Sequence, residues 1–453
     1  MIHIYTLNSL NICLDVNSGT IHLLDEVTKD ILLKAPEKEM IENAASMLSD
    51  KYSNLELKEA LSEIKSLIDE KSLYSPDFDR AMFTGKTIKK VVVKAMCLHM
   101  AHDCNLRCKY CFAEKGSYGG KKSLMSFDVA KQAIDFLLAN SGSKKNVEVD
   151  FFGGEPLLNY DVIKQTVEYA KEKQKEYGKT VHFTVTTNGT ILNEEMEKFL
   201  NENMDNIVLS LDGRKEINDA VRVYPSGKGS YDQIIDNIKT IANNRNGKSY
   251  FVRGTYTRDN LDFSKDVRHI YEELGLKEIS IEPVTGGAFT LTDEEINVAL
   301  KEYEQFACEY ALQDDYRFYH FNISLYHSPC IYKRIAACGA GVDYFAVSPD
   351  GDLFACHQFV GEKQFKMGDV FNGITDYQRV NQFHNSNVFT KKGCQDCFAK
   401  YFCSGGCHAN AYYTNNDILI PDENACKMQK KRIECALMIE TLRALKRSEN
   451  EEQ

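Results

Sequence analysis

The sequence has no tryptophan and only eight prolines in 453 residues, two scarcities that exclude nothing by themselves. Other absences exclude more. No apolar run approaches the roughly 18 residues of a membrane span. The N-terminus MIHIYTLNSL lacks a basic stretch leading into an apolar core, so neither a membrane nor a secreted protein is expected. Basic residues number 55 against 66 acidic ones, a net charge of −11, which disfavours a nucleic-acid partner held through phosphates. The composition of a disordered chain is missing too. With 43% hydrophobic and 27% charged residues this is an ordinary globular sequence, long enough for two or three domains. Its 15 cysteines are too thinly spread for a small disulfide scaffold. In the cytoplasm, where this chain is expected to stay, thiols are kept reduced, so the cysteines point to metal ligands before disulfides.

Residues 1–80 read as a small unit of their own. Short β-rich stretches at Ile2–Thr6, Asn11–Val16 and Thr20–Leu23 precede helical periodicity over Asp25–Leu33, Glu37–Leu48 and Leu55–Asp69. Three strands and three helices in this order suit a winged-helix module. A linker is expected from Tyr74 to Lys90. From there the pattern becomes strand and helix in alternation, over a domain spanning 90–312. Strands are expected at Val91–Cys97, Val147–Phe152, His182–Thr187, Ile207–Leu211, Phe251–Thr257 and Glu278–Val284. Helices are expected near Phe127–Ala139, Tyr160–Tyr177, Glu194–Asn201, Tyr231–Asn243 and Asp262–Leu274. Six such units imply an α/β fold with a parallel sheet, open or curled into a partial barrel, whose active site lies at the C-terminal strand ends. After a helix around Asp293–Leu312 regularity fades, and residues 313–440 form a third, cysteine-rich region that needs a metal staple. Its tail, Arg432–Leu445, is helical, and Lys446–Gln453 reads as a frayed charged end.

The cysteine spacing carries the chemistry. Cys104, Cys108 and Cys111 form a CxxxCxxC just after the first strand of the sheet. At this chain's cysteine frequency, chance supplies roughly 0.02 such triplets. Three thiolates so spaced can hold three irons of a [4Fe–4S] cluster and leave the fourth open. A zinc site completed by His99 or His102 is the other reading. At the next strand end stand Gly153, Gly154 and Glu155, glycines that let a ligand approach the backbone and a carboxylate that can accept from an ammonium group. Thr187 and Asn188 end the third strand and Ser210 and Asp212 the fourth, with polar groups suited to ribose hydroxyls. Cys13, Cys97, Cys308 and Cys435 sit in apolar periodic stretches and read as small buried hydrophobes.

The triplet resembles the signature of the radical S-adenosylmethionine (SAM) superfamily, and Gly153-Gly154-Glu155 resembles that family's GGE motif. The resemblance implies a cluster held by Cys104, Cys108 and Cys111 whose open iron binds SAM, with Tyr110 packing on adenine. It implies that the GGE motif receives the SAM amino group and makes Arg222 a clamp for the SAM carboxylate. Farther on, Cys338, Gly351 and Cys356, then Cys394, Cys397, Cys403 and Cys407, then Cys426 resemble the seven-cysteine SPASM pattern of peptide-modifying radical SAM enzymes. Carried over, Cys394, Cys397, Cys403 and Cys426 would hold one auxiliary [4Fe–4S] cluster, and Cys338, Cys356 and Cys407 another. That makes three clusters in all. Two fully ligated auxiliary clusters need eight ligands. Either Cys330 is the eighth or one iron stays open to a substrate thiolate.

Residues 1–80 resemble the RiPP recognition element, which grips the leader of a ribosomally made peptide by strand addition. The opening MIHIYTLNSLNICLDVNSGTIHLLDEVTKDIL and the run HSPCIYKRIAACGAG look like the maturases of SCIFF peptides. The resemblance implies an oxidoreductase that forms thioether links from cysteine sulfur to a carbon of another precursor residue. It would draw electrons from a donor such as flavodoxin or ferredoxin. The competing readings are a sulfatase-maturase-like peptide oxidase, which leaves the N-terminal unit unexplained, and a non-catalytic iron–sulfur carrier or peptide-binding chaperone.

Overall fold

The computed structural model describes residues 1–323 and 331–451, so Cys330 lies outside the described residues. The chain opens with β1 (Ile2–Leu7), β2 (Leu10–Asp15) and β3 (Ile21–Leu24), an antiparallel sheet in the order β1-β2-β3. Helices α1 (Glu26–Lys34), α2 (Ile41–Ser46) and α3 (Asn54–Asp69) follow. The Asp25 side chain caps α1, and a capping box of Ser53 and Glu56 starts α3, so each helix begins where its free N–H groups find acceptors. Cys13, Ile31, Leu57 and Ile64 pack one small core between sheet and helices. The other face of the sheet is not free, contrary to the expectation of a unit of its own. Leu14 and Val16 pack with Ile433 and Leu437 of the C-terminal helix, and Tyr5 donates to the Glu434 carbonyl at 2.9 Å.

The central sheet has β4 (Ala95–Ala101), β5 (Asn146–Gly153), β6 (Thr180–Thr187), β7 (Asn206–Ser210), β8 (Ser249–Tyr256) and β9 (Glu278–Pro283), all parallel and in chain order. Helices α4 (Phe127–Asn140), α5 (Tyr160–Tyr177), α6 (Glu194–Asn203), α7 (Lys215–Val221), α8 (Tyr231–Asn243) and α9 (Phe263–Arg268) provide the connections. Alternation decides which face is covered. Val147, Val149 and Phe151 of β5 and Val181, Phe183 and Val185 of β6 are buried in the core that contains Ile134 and Ile163, while the residues between them are only partly buried. The first strand starts at Ala95 rather than Val91, because the Val93 N–H is spent on the Asn140 carbonyl at the end of α4.

The sheet is larger than six strands. Beyond β9 it gains β10 (Arg317–Phe318), and beyond β4 it gains β11 (Tyr344–Val347), both parallel. β12 (Asp352–Phe354), β13 (Lys366–Asp369) and β14 (Gly373–Ile374) continue it antiparallel, for eleven strands among the described residues. Sequence pattern missed these additions because strands of two to four residues carry too few alternations to register. Between β9 and β10 lies α10 (Asp293–Tyr310), and the cysteine-rich region holds α11 (Ile331–Ala336), α12 (Tyr377–His384), α13 (Lys400–Cys403) and α14 (His408–Asn415). The last helix, α15 (Glu423–Glu451), is twice as long as expected. It begins before Cys426 and stays helical where a frayed end was foreseen.

The segment expected to be a linker is strapped down. Lys400 is 2% exposed, and its Nζ lies 3.0 Å from Asp77 Oδ2, while Tyr401 donates to Asp77 Oδ1 at 2.5 Å. Asn387 Nδ2 donates to the Phe83 carbonyl, and Asn381 pairs with both backbone groups of Ile88. No helix among the described residues is long and apolar enough to cross a membrane.

Candidate active site

The C-terminal ends of β4 to β7 bring together groups that are far apart in sequence. Gly153 and Gly154 end β5 because nothing larger fits. A Cβ on Gly153, whose φ is +127°, would lie 2.4 Å from the Ala101 carbonyl oxygen, and one on Gly154 would lie 2.1 Å from that of Asp103. This close approach lets Gly154 and Glu155 donate their N–H groups to Ala101 and Asp103, fixing the start of the cysteine loop against β5. Tyr118 closes the same corner by donating to the Gly153 carbonyl at 3.0 Å.

Glu155 is 1% exposed. It accepts from the Thr187 hydroxyl at 2.8 Å and from the Leu157 N–H through Oε1, and from the Asn188 N–H at 2.8 Å through Oε2. Burial pushes its carboxyl up to about 7 despite those donors. Glu155 thus ties the end of β5 to the end of β6. Held this way, Asn188 aims its amide at the cysteine loop, donating to Asn105 Oδ1 at 3.0 Å and to Cys104 Sγ at 3.7 Å. The Leu106 N–H also faces Cys104 Sγ, at 3.4 Å.

At the end of β7, Asp212 is fully buried and accepts from Tyr110 Oη at 2.7 Å and from the Thr255 N–H at 2.8 Å. Arg222, just past α7, forms an ion pair with it, Nε 3.0 Å from Oδ1, and its guanidinium carbon stands 5.6 Å from the centre of the Tyr110 ring. Arg107 and Lys109 donate their N–H groups to the Val223 and Val221 carbonyls, so the cysteine loop is laced to this segment by backbone as well. Two expectations change in emphasis. Arg222 already has a carboxylate partner, and Tyr110 is anchored through its hydroxyl. Ser210 stands partly exposed at the same rim, in register with Arg253 of β8.

The thiols of Cys104, Cys108 and Cys111 lie near enough that each of the other two acts on Cys104. Burial, with Glu155 next in weight, pushes Cys104 up to about 12, and burial pushes Cys108 up to about 11. Such thiols ionise at neutral pH only with a cation to hold them. The two N–H donors at Cys104 Sγ suit a thiolate, and Arg222 favours the charged form of Cys108. The donor set fits a cluster that takes one thiolate per iron. Among the described residues no group of three or more Cys, His, Asp or Glu side chains is placed to hold a single metal ion. His99 and His102 turn to each other at 3.2 Å and pack on Tyr118.

The C-terminal cysteines fall into two sets by their mutual electrostatic influence. Cys356 is acted on by Cys407 and Cys338, and Cys338 by Cys407. Cys394 feels Cys426 and Cys397, Cys403 feels Cys394 and Cys397, and Cys426 feels Cys403 and Cys397. Cys13, Cys97 and Cys435 are buried, whereas Cys308 is only partly so. Sequence reasoning did not single out Tyr118, Asn105 or Lys391. Tyr118 stands in a glycine-flanked loop whose spacing to β5 gives no signal, and Lys391 looked like one more surface charge.

Residues 98–255 match the model of the radical SAM superfamily, so the chain carries a radical SAM domain, of a family that uses a [4Fe–4S] cluster and SAM. A cysteine-type anaerobic sulfatase-maturating enzyme from Clostridium novyi (strain NT) is 25% identical over 338 residues, 68% of this chain and 86% of that protein. The solved structure of native anSMEcpe with bound AdoMet superposes with a TM-score of 0.65 at 18% identity, covering 78% of this chain and 99% of that one. Streptococcus suis SuiB bound to precursor peptide SuiA gives 0.53 at 16% identity, covering 93% of this chain and 98% of that one. Over a larger part of its length the chain is similar in sequence to maturases.

Proposed function

We propose that the protein is a maturase that forms intramolecular thioether links, from cysteine sulfur to a carbon of another residue, in a ribosomally made precursor peptide of the SCIFF type. The observation that carries this reading is the pairing of three separate cysteine sets with an N-terminal sheet whose outer strand, β3, is open on one edge among the described residues. When bound at Cys104, Cys108 and Cys111, the cluster with SAM supplies hydrogen-atom abstraction from an unactivated carbon. The chain's own residues do the rest. Asn188 and the Leu106 N–H hold the Cys104 sulfur, Glu155 keeps the ends of β5 and β6 together, and the Asp212–Arg222 pair fixes Tyr110. In this reading Gly153, Gly154, Glu155, Thr187, Asn188, Ser210 and Asp212 surround SAM, and the SPASM-like cysteines hold two auxiliary clusters. A small flavin or iron–sulfur protein of the cytoplasm supplies electrons.

The N-terminal unit takes the leader by strand addition to β3, where Leu23, paired with Ile12 on the face turned away from α1–α3, stands 46% exposed. A sulfatase-maturase-like oxidase has the Clostridium novyi relative in its favour but gives this unit no task. Likeness to SuiB, which was solved with its precursor, extends over more of the chain.

The test is anaerobic co-expression with a cysteine-rich precursor, followed by mass spectrometry after thiol alkylation. Each thioether removes two hydrogens and one alkylatable cysteine. A precursor whose cysteines all remain alkylatable, with a side chain oxidised instead, would replace the proposal with the oxidase. Leu23→Asp should weaken leader binding while leaving SAM cleavage intact. It is a cleaner probe than removing residues 1–80, because that deletion would also bare Ile433 and Leu437.

A further inference from the structure

Lys391 is 1% exposed, one of the most buried charges in the chain. Its Nζ donates to the Gly405 carbonyl at 2.8 Å. Gly405 lies midway between Cys403 and Cys407, which belong to different cysteine sets. The residues joining them, Ser404, Gly405 and Gly406, all have positive φ, at 57°, 88° and 70°. That left-handed run bends the chain so that three residues span from one set to the other. The lysine stem passes under the bend, so close that a Cβ on Gly405 would lie 3.2 Å from Lys391 Cδ. Burial holds the ammonium below the usual lysine range, and the thiols that act against this belong to both sets, Cys394 and Cys403 of one and Cys407 and Cys338 of the other. No carboxylate pairs with it within 4 Å among the described residues. A buried, unpaired ammonium is costly unless negative charge gathers around it, and two thiolate-bound clusters provide that charge.

Resting on the two-auxiliary-cluster reading, we propose that Lys391 is a shared electrostatic positioning residue that raises the reduction potentials of both auxiliary clusters. A positive charge favours the more negative, reduced cluster. At about 10 Å and an effective dielectric of about 20, one unit charge moves a one-electron equilibrium by roughly tenfold. Because the bend places Lys391 between the sets, both clusters should move together, and the cluster at Cys104, Cys108 and Cys111 should not.

The experiment uses full-length, anaerobically reconstituted protein in which Cys104, Cys108 and Cys111 are replaced by Ala, so that only auxiliary clusters are read. Iron content and an EPR-monitored redox titration are recorded for this parent and for Lys391→Met, Lys391→Gln and Lys391→Arg. Lys391→Gln can still donate to Gly405 without the charge. In Met and Gln variants the ratio of reduced to oxidised cluster at a fixed potential should fall about tenfold for both clusters, about 59 mV for a one-electron couple. Lys391→Arg should stay near the parent. Unmoved potentials in Met and Gln variants that keep their iron would overturn the proposal. Iron lost from Gln and Arg alike would overturn it too, reducing Lys391 to a packing role. A parent without auxiliary iron would instead sink the cluster reading itself, and the iron assay alone reveals that.

Discussion

Arg222 and Asp212 are ten residues apart in sequence and face each other across the rim of the site, Nε 3.0 Å from Oδ1, with Asp212 fully buried. Neither is spare. Asp212 also receives the Tyr110 hydroxyl, so the pair is the base on which the last part of the cysteine loop rests. Arg222→Ala should therefore destabilise the protein by about 3–5 kcal/mol, the scale of stranding a buried charge. Asp212→Asn added to Arg222→Ala should recover part of that loss. Denaturation midpoints of the single and double variants check this. Strict additivity would show that the two residues do not interact.

Replacing Cys104, Cys108 and Cys111 with Ala should lower iron from about twelve to about eight atoms per chain. It should also abolish 5′-deoxyadenosine formation. The two losses belong together because this triplet lies in the one loop after β4 while the other cysteine sets lie elsewhere in the chain. Iron analysis and chromatography of the SAM products measure them. A triple variant that still cleaved SAM would move the SAM site to another cysteine set.

Asp77 clasps Lys400 and Tyr401 and so straps residues 75–90 onto the cysteine-rich region. Asp77→Ala leaves the buried Lys400 ammonium unpaired, and the expected cost is about 2–3 kcal/mol, below the full buried-pair figure because Asp77 is partly exposed. Limited proteolysis should then cut faster at Arg80 and Lys86. Cleavage at the parental rate would mean that the Asn381, Asn385 and Asn387 contacts hold the strap without Asp77.

Asp150, on β5, has its carboxyl pushed up from 3.8 to about 7, by burial first and Glu148 second. The folded protein therefore holds a proton there that the unfolded chain has released. Stability falls as pH rises from 3.8 to about 7, and the full penalty remains above. Asp150→Asn should stabilise the protein by about 1–3 kcal/mol at pH 8, and by less at pH 5. Melting of both proteins at the two pH values checks the sign. An equal gain at both would place the effect in packing rather than in charge.

Much of this protein is written locally. The alternation of Val147, Val149 and Phe151, the helical spacing of the apolar residues of α3 and the order of the six sheet units are short-range patterns, legible because each residue's surroundings repeat along the chain. The spacing of Cys104, Cys108 and Cys111 is equally local, which is why the chemistry could be read before the fold. Contacts between distant segments were not legible. Strands as short as β10 and β14 exist only because an existing sheet edge offers them hydrogen bonds. The N-terminal sheet reads as independent until α15 arrives from some 430 residues away to cover Leu14 and Val16. Cys403 and Cys407 are near neighbours in sequence that face different partners, and Lys391 looks like a surface lysine in the run Lys391-Lys392-Gly393. Folding alone decides both, because the left-handed bend at residues 404–406 redirects this short loop and the Gly405 carbonyl in it holds the buried lysine.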